Sequence, residues 1–475
     1  MTNPPTAFGR WLADAPRTWP DAAIESAHRQ FIDTIAVTIP GALEPAARLV
    51  FETVAGWGDG PATVVGRGVK LAAPWVALVN GTAAHALDFD DNFDPAKAHA
   101  SAVLVPAILA LGEQEGASGL DCLDAYIAGL QVLGRVGQGI NPVHRNRGWH
   151  ATGTIGAIGA AAACVRLLRL DAGRAARALS IATSTAGGFM SQFGTMTKPL
   201  HAGLAAKAGV LAASLARSGL TAGLATFDGP TGLNRLMVGP DYEHLRDTLT
   251  HVEHGQTLRF ETSNVGDPLL ILSNGFRVKR FPNCGSAHRA MDGLLALREE
   301  HGFAADDVLA VDVHAPASHL ANLMYTAPED PLQARFSLEY GLACVLLDGA
   351  CTLADFSSER IARPGARALY SRVHRHPVAA AEGEFPTEVA VTLRDGKVVR
   401  TAVAMPRGSL AAPFSTEEYW AKFEACAAPV MGGRMQRTRS ALNNLPFLPR
   451  VAELMSSVGE SFPHGNDGSS RGGER

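Results

Sequence analysis

Along the first half of the chain, apolar positions recur at the period of a helix. Within 21–39 they fall at Ile24, Phe31, Ile32 and Ile35, one stripe of a 3.6-residue repeat. Segments 101–113 and 121–136 follow the same pattern. In 154–170, Gly156, Gly159, Ala160 and Ala163 leave room for a neighbouring helix to approach closely. Pro199 suits the first turn of a helix running to about Ser218, which puts Lys198 at its entrance. The stretch 220–239 is punctuated by glycine and reads as loop.

From about Asn264 the texture changes. Residues 308–314, 387–393 and 397–404 alternate apolar and polar as half-buried strands, and Asp395-Gly396 between the last two marks a hairpin turn. Helical patterns at 287–300 and 334–347 flank them. The pattern predicts a mainly α protein with a large all-helical domain over 1–265 and 411–458. A smaller α+β domain covers 266–410, and a Gly/Ser/charge-rich tail, 459–475, is expected to be disordered.

Composition narrows the classes. A chain of 475 residues, 47% apolar and 19% charged, can bury a large core. Its net charge of −4 and scattered basic residues give no electrostatic case for nucleic acid. The six cysteines are far apart without a C-x-x-C pair, which argues against structural zinc and a disulfide framework. The first twenty residues lack a signal peptide's basic start and apolar core. Uncharged runs such as 151–164 are too short to span a membrane. A cytoplasmic enzyme without a membrane partner is expected.

Chemistry concentrates in Gly81-Thr-Ala-Ala-His-Ala-Leu-Asp-Phe-Asp-Asp-Asn92 and the following His99. His85, Asp88, Asp90, Asp91 and His99 lie among small apolar neighbours. Acids and imidazoles beside buried surface acquire shifted pKa values, as proton transfer requires. Gly148-Trp-His-Ala-Thr-Gly153 and Gly194-Thr-Met-Thr-Lys-Pro-Leu-His201 each precede an Ala/Gly-rich run. A helix N-terminus there can hold an anion, so His150 and Lys198 at two such entrances suit a small polycarboxylate.

Other readings compete. Asp90-Asp91-Asn92-Phe93-Asp94 matches D-D-x-x-D, which chelates magnesium-diphosphate in all-helical prenyl-transferring enzymes, but neither a second acidic motif nor an arginine cluster accompanies it. Asp88, His99 and His150 form a metal set on paper, without the spacing that places two ligands on one helical face. Gly468-Ser-Ser-Arg-Gly472 matches G-x-S-x-G by chance, in the tail. Gly153-x-x-Gly156-x-x-Gly159 follows no strand and marks no dinucleotide site. A pseudoenzyme or helical scaffold is the non-catalytic alternative.

Taken in order, the segments resemble the MmgE/PrpD family. The matching text is 80–91; His99-Ala-Ser with Pro106; Gly148-Trp-His150; Ala186-Gly-Gly with 194–201; Lys279-x-Phe-Pro-x-Cys-x-x-x-His288; and Phe336-Ser-Leu with Leu347-Asp-Gly349. The resemblance implies a helical domain, an α+β lid and a homodimer. It also implies 2-methylcitrate dehydratase, cis-aconitate decarboxylase or iminodisuccinate epimerase chemistry on a small di- or tricarboxylate, with no metal and no cofactor. Carried over by motif, Asp88, Asn92, His99, His150, Lys198, Cys284 and Tyr325 line a site between domain and lid, with Lys97, Thr197 and Lys279 as further substrate-binding candidates. Asn92 stands where the decarboxylases carry Thr, Cys284 stands where they carry His, and His99 is one residue further from Asp88. The longer Asp88–His99 spacing, Lys97 and the Lys279–His288 motif look more like the iminodisuccinate epimerase branch. The expected roles follow: Lys198 and Tyr325 hold a carboxylate, His99 and His150 exchange protons, and Asp88 orients an imidazole. Epimerisation is the first expectation, and a dehydratase-like or decarboxylase-like lyase the alternative.

Overall fold

The computed structural model describes residues 3–250, 252–379 and 385–462. The chain opens with α1 (Pro4–Asp14), α2 (Asp21–Gly41) and α3 (Pro45–Val54), then a two-stranded antiparallel ladder of β1 (Asp59–Thr63) and β2 (Lys70–Leu71). Among the described residues, this ladder is the strand pairing found in a domain expected to be all helical. Next come α4 (Ala73–His85), α5 (Ser101–Glu115), α6 (Gly119–Ile140), α7 (Ala151–Leu167), α8 (Ala172–Thr183) and α9 (Thr197–Arg217).

Small residues decide how these helices pack. A Cβ on Gly81 of α4 would lie 2.9 Å from the Gly203 Cα of α9, and one on Gly203 would lie 2.2 Å from the Leu78 carbonyl oxygen. Only glycine permits that approach. The first turn of α6 is closed by a capping box between Ser118 and Asp121. By length and composition α9 could cross a membrane, but 67% of its most apolar window is buried and it packs on α4 and α7 as a core helix.

The second unit starts with α10 (His288–His301), β3 (Val308–Pro316), α11 (Leu338–Asp348) and α12 (Pro364–Tyr370), followed by β4 (Val373–Val378), β5 (Thr387–Leu393) and β6 (Val398–Val403). The sheet order is β4-β3-β5-β6, with β3 and β4 parallel and the other pairs antiparallel. The 395–396 hairpin forms as expected. Val311, Val313, Val389, Val391 and Val399 face inward, where α10 packs. The opposite face presents Asp312, His314, His374 and His376. Three helices close the chain: α13 (Thr416–Met431), α14 (Met435–Asn443) and α15 (Ala452–Gly459).

Two apolar cores result. One gathers residues from Phe8 to Val278 and from Phe414 to Phe462; the other runs from Phe281 to Val399. Leu270, Ile271, Phe276 and Val278, grouped with the lid by the change of texture at 266, pack in the first core. Of the tail expected from 459 onward, Gly459 ends α15 and Phe462 is buried. Residues 463–475, with the Gly468–Gly472 match, lie outside the described residues.

Candidate active site

Three helices begin at one cleft. Lys198 lies in the first turn of α9, His150 is the residue before α7, and His99 stands just ahead of α5. Their N-terminal dipoles favour negative charge in the space they face. The C-terminus of α4 delivers His85, and the turn after it carries Asp88 and Asp90. The lid covers this floor with Lys279, Cys284, Ser286, His319, Asn322 and Phe336.

Asp88 is fixed by charge. Lys198 Nζ donates to Asp88 Oδ1, Lys279 Nζ lies 3.1 Å from the same oxygen, and Lys279 Nζ also donates to the Asp88 carbonyl at 2.6 Å. Asp88 holds a left-handed φ of 50°, a conformation that costs an L-residue about 1–3 kcal/mol and persists only where surroundings impose it. Burial pushes its carboxyl pKa up, but Lys198 and then Lys279 outweigh this and hold it well below the usual carboxylate range. Lys198 Nζ also lies 4.9 Å from the centre of the Phe336 ring and 5.3 Å from that of Phe193, a cation–π arrangement.

The expected orienting role of Asp88 passes to Asp90. His99 Nε2 is 3.8 Å from Asp88 Oδ1, too far for a hydrogen bond, because the lysines hold that oxygen. Asp90, fully buried, accepts from His85 Nδ1 at 2.9 Å and lies 3.2 Å from His99 Nδ1. That second pair is close but not aligned as a hydrogen bond. Burial lowers the His85 pKa to about 3 against the pull of Asp90. Burial likewise lowers His99, and it takes His150 well below the ordinary imidazole value with Lys198 adding to the effect. These imidazoles are neutral at neutral pH, the form that accepts a proton.

His150 shows two different nitrogens. Its Nδ1 is 2.9 Å from His201 Nδ1, while its Nε2 is buried without a protein partner. Asn92, Lys97, His99, His150, Lys198, Lys279, Cys284 and Asp88 all line the cleft. Thr197 and Tyr325 do not. Thr197 begins α9 with its N–H bonded to Thr195 Oγ1, and the Tyr325 ring lies against Gly194, outside the lining. Reasoning from the chain missed Arg145, Arg277, His319 and Asn322, which reach the cleft from separate segments and share no motif with the rest. His85, Asp90 and His201 stood inside the quoted motifs, yet their spacing carried no role for them.

The acidic motif does not act as one metal-binding unit. Asp90 meets His85, Asp91 accepts from the Ser101 hydroxyl and its N–H, and Asp94 pairs with Arg277. Among the described residues, one group has ligand atoms mutually within 4.8 Å: His85, Asp88, Asp90 and His99. His150, expected in such a set, is not part of it. The ammonium groups of Lys198 and Lys279 already neutralise Asp88 and oppose a cation there.

Comparison with known proteins agrees with this layout. The MmgE/PrpD N-terminal domain matches residues 7–245 and the MmgE/PrpD C-terminal domain matches residues 281–445. Cis-aconitate decarboxylase of Mus musculus is 29% identical over 86% of this chain and 84% of its own length. The Homo sapiens enzyme of that name is also 29% identical, over 86% and 85%. The Aspergillus terreus one is 26% identical over 92% and 91%. With both family domains matched in order, one on each side of the cleft, the chain belongs to the MmgE/PrpD family.

Proposed function

We propose that the cleft performs acid–base chemistry at the carbon next to a carboxylate of a small di- or tricarboxylate, and that the overall reaction is a lyase reaction. One observation carries the reading. Lys198 and Lys279 converge on the single carboxylate of Asp88 in the cleft, beside the neutral imidazoles of His99 and His150.

A proton next to a carboxylate is barely acidic, so its removal needs a nearby base and a charge that stabilises the enediolate. Lys198 and Lys279 supply that charge. Asp88, already paired with both, holds them in place before substrate arrives. His150 Nε2 and His99 are the groups that exchange protons with the substrate carbon. Loss of CO2 leaves an enediolate that one of them protonates; loss of water instead needs one to accept the carbon proton and one to protonate the departing hydroxyl.

The likeness to cis-aconitate decarboxylases supports the lyase reading. Epimerisation is the second reading, favoured by two imidazoles lining one cleft. Incubation in D₂O with cis-aconitate, 2-methylcitrate and iminodisuccinate, followed by proton NMR, tests both. Loss of CO2 or water marks a lyase, and deuterium at an inverted carbon marks an epimerase. If none of the three reacts or exchanges, the assignment of polycarboxylate chemistry fails. The family expectation of a homodimer joins this proposal and is checked by light scattering.

A further inference from the structure

We propose that His201 is a positioning residue that sets, and resets after each turnover, which nitrogen of His150 carries the proton. The inference rests on the acid–base reading of His150 given above.

The geometry is a contact between two like atoms. His150 Nδ1 and His201 Nδ1 stand 2.9 Å apart, and both residues are buried. Two nitrogens at that distance share one proton, so one ring donates and the other accepts. If His201 donates, His150 carries its own proton on Nε2 and faces the cleft as an acid. If His150 donates, its Nε2 is a bare lone pair and faces the cleft as a base. The partnerless, buried His150 Nε2 is the atom whose state this choice controls.

Gly188 holds the pair together. Its carbonyl accepts the His150 N–H at 3.0 Å, and a Cβ on it would lie 3.1 Å from His201 Nδ1. It has a φ of +127°, which L side chains rarely adopt. The glycine loop therefore holds the His150 backbone and leaves the space that the His201 ring occupies.

The cycle balances. His150 Nε2 takes a proton from the substrate carbon, and the C–H electron pair stays with the substrate. The His150 ring, now an imidazolium, passes its Nδ1 proton to His201 Nδ1. His201 then loses its Nε2 proton to water. This leaves His150 protonated on Nε2, ready to act as the acid, and running the same transfers backwards restores the base.

The first test needs no substrate. Nitrogen-15 NMR of histidine-labelled protein reads the tautomer of each ring. The expected result is one defined tautomer for His150 in the native chain, with a changed proton distribution in His201→Ala. The second test uses turnover. His201→Asn can still offer a hydrogen bond at the position of Nδ1 but cannot relay a proton. It is expected to lower kcat about 10- to 100-fold with KM within about twofold, and added imidazole is expected to restore part of the kcat of His201→Ala. Melting curves confirm that both variants fold, and His150→Ala serves as reference. Full kcat in His201→Asn with an inactive His150→Ala overturns the relay alone. Full activity in His150→Ala overturns the reading of the cleft beneath it. An unchanged His150 tautomer in His201→Ala also refutes the proposal.

Discussion

In the cleft, Asp90 sits between His85 and His99, with the carboxylate and the His85 ring fully buried. On the outer face of the lid sheet, Asp312 sits between His374 and His376, 3.3 and 2.7 Å away, with the two imidazole side chains 50% and 43% exposed. His314 stacks on His376 there at 4.4 Å. Residue types and contact distances are alike. What differs is water. The buried cluster is desolvated, so its imidazoles are driven neutral and its carboxylates depend on specific partners, whereas the surface cluster keeps the screening of bulk solvent. Burial, rather than the presence of His and Asp, shifts the protonation of the first cluster.

That contrast can be broken at several points. His150→Ala is expected to lower turnover about 10²- to 10⁴-fold, while His376→Ala on the surface stays within about twofold of the native chain; steady-state kinetics on the substrate identified by NMR decide. An equal loss in both variants would end the distinction. Asp88→Asn leaves Lys198 and Lys279 buried without their counter-charge. Its cost, read from denaturant unfolding, is expected at about 3–5 kcal/mol, against about 0–1 kcal/mol for Asp312→Asn.

A pH series follows, with its sign set by burial. Burial lowers His85, His144 and His288 each to about 3, and raises Asp91 to about 7. Between about pH 6.5 and 4 the unfolded chain takes up protons on these three histidines that the folded chain does not. Asp91 opposes them, because its folded form stays protonated there while the unfolded carboxyl ionises. On these four groups the unfolded chain holds about two more protons than the folded one, so stability falls as pH drops, by roughly 3 kcal/mol per unit, and His85→Gln should flatten the slope. A stability independent of pH across that window would contradict the buried neutral imidazoles. Gly188→Ala is expected to cost about 1–3 kcal/mol in melting experiments, from its left-handed backbone. Glycine-free control changes on the outer sheet face should stay within about 0.5 kcal/mol.

Much of this was legible in the chain wherever one face of an element is wet. The stripe at Ile24, Phe31 and Ile32 and the alternation in 387–393 became α2 and β5. Elements buried on all sides were harder to read. Residues 76–85 of α4 are all buried, so no polar face marks its period. β4 escaped notice because Val373-His-Arg-His-Pro-Val378 carries charge and a proline, and its parallel pairing with β3 is long-range. α11 starts at Leu338, later than the pattern suggested, because the Ser337 side chain caps it at Tyr340 N–H. In the site, residues within one motif could be found together. Arg145, Arg277 and His319 could not, since only folding brings three separate segments to one cleft. The exchange of roles between Asp88 and Asp90 was also hidden, because it depends on which carboxylate the lysines reach.

The glycine contact between α4 and α9 has a consequence for how this enzyme can change. Gly81 and Gly203 set the gap between two rods whose ends carry His85 and Lys198. Even a methyl group at either position would wedge those rods apart and shift His85 and Lys198 at their ends. The helical floor is thus a gauge with a single setting. Variation in the shape of the cleft falls instead to the roof, at Cys284 and Ser286, which take no part in the α4–α9 gap.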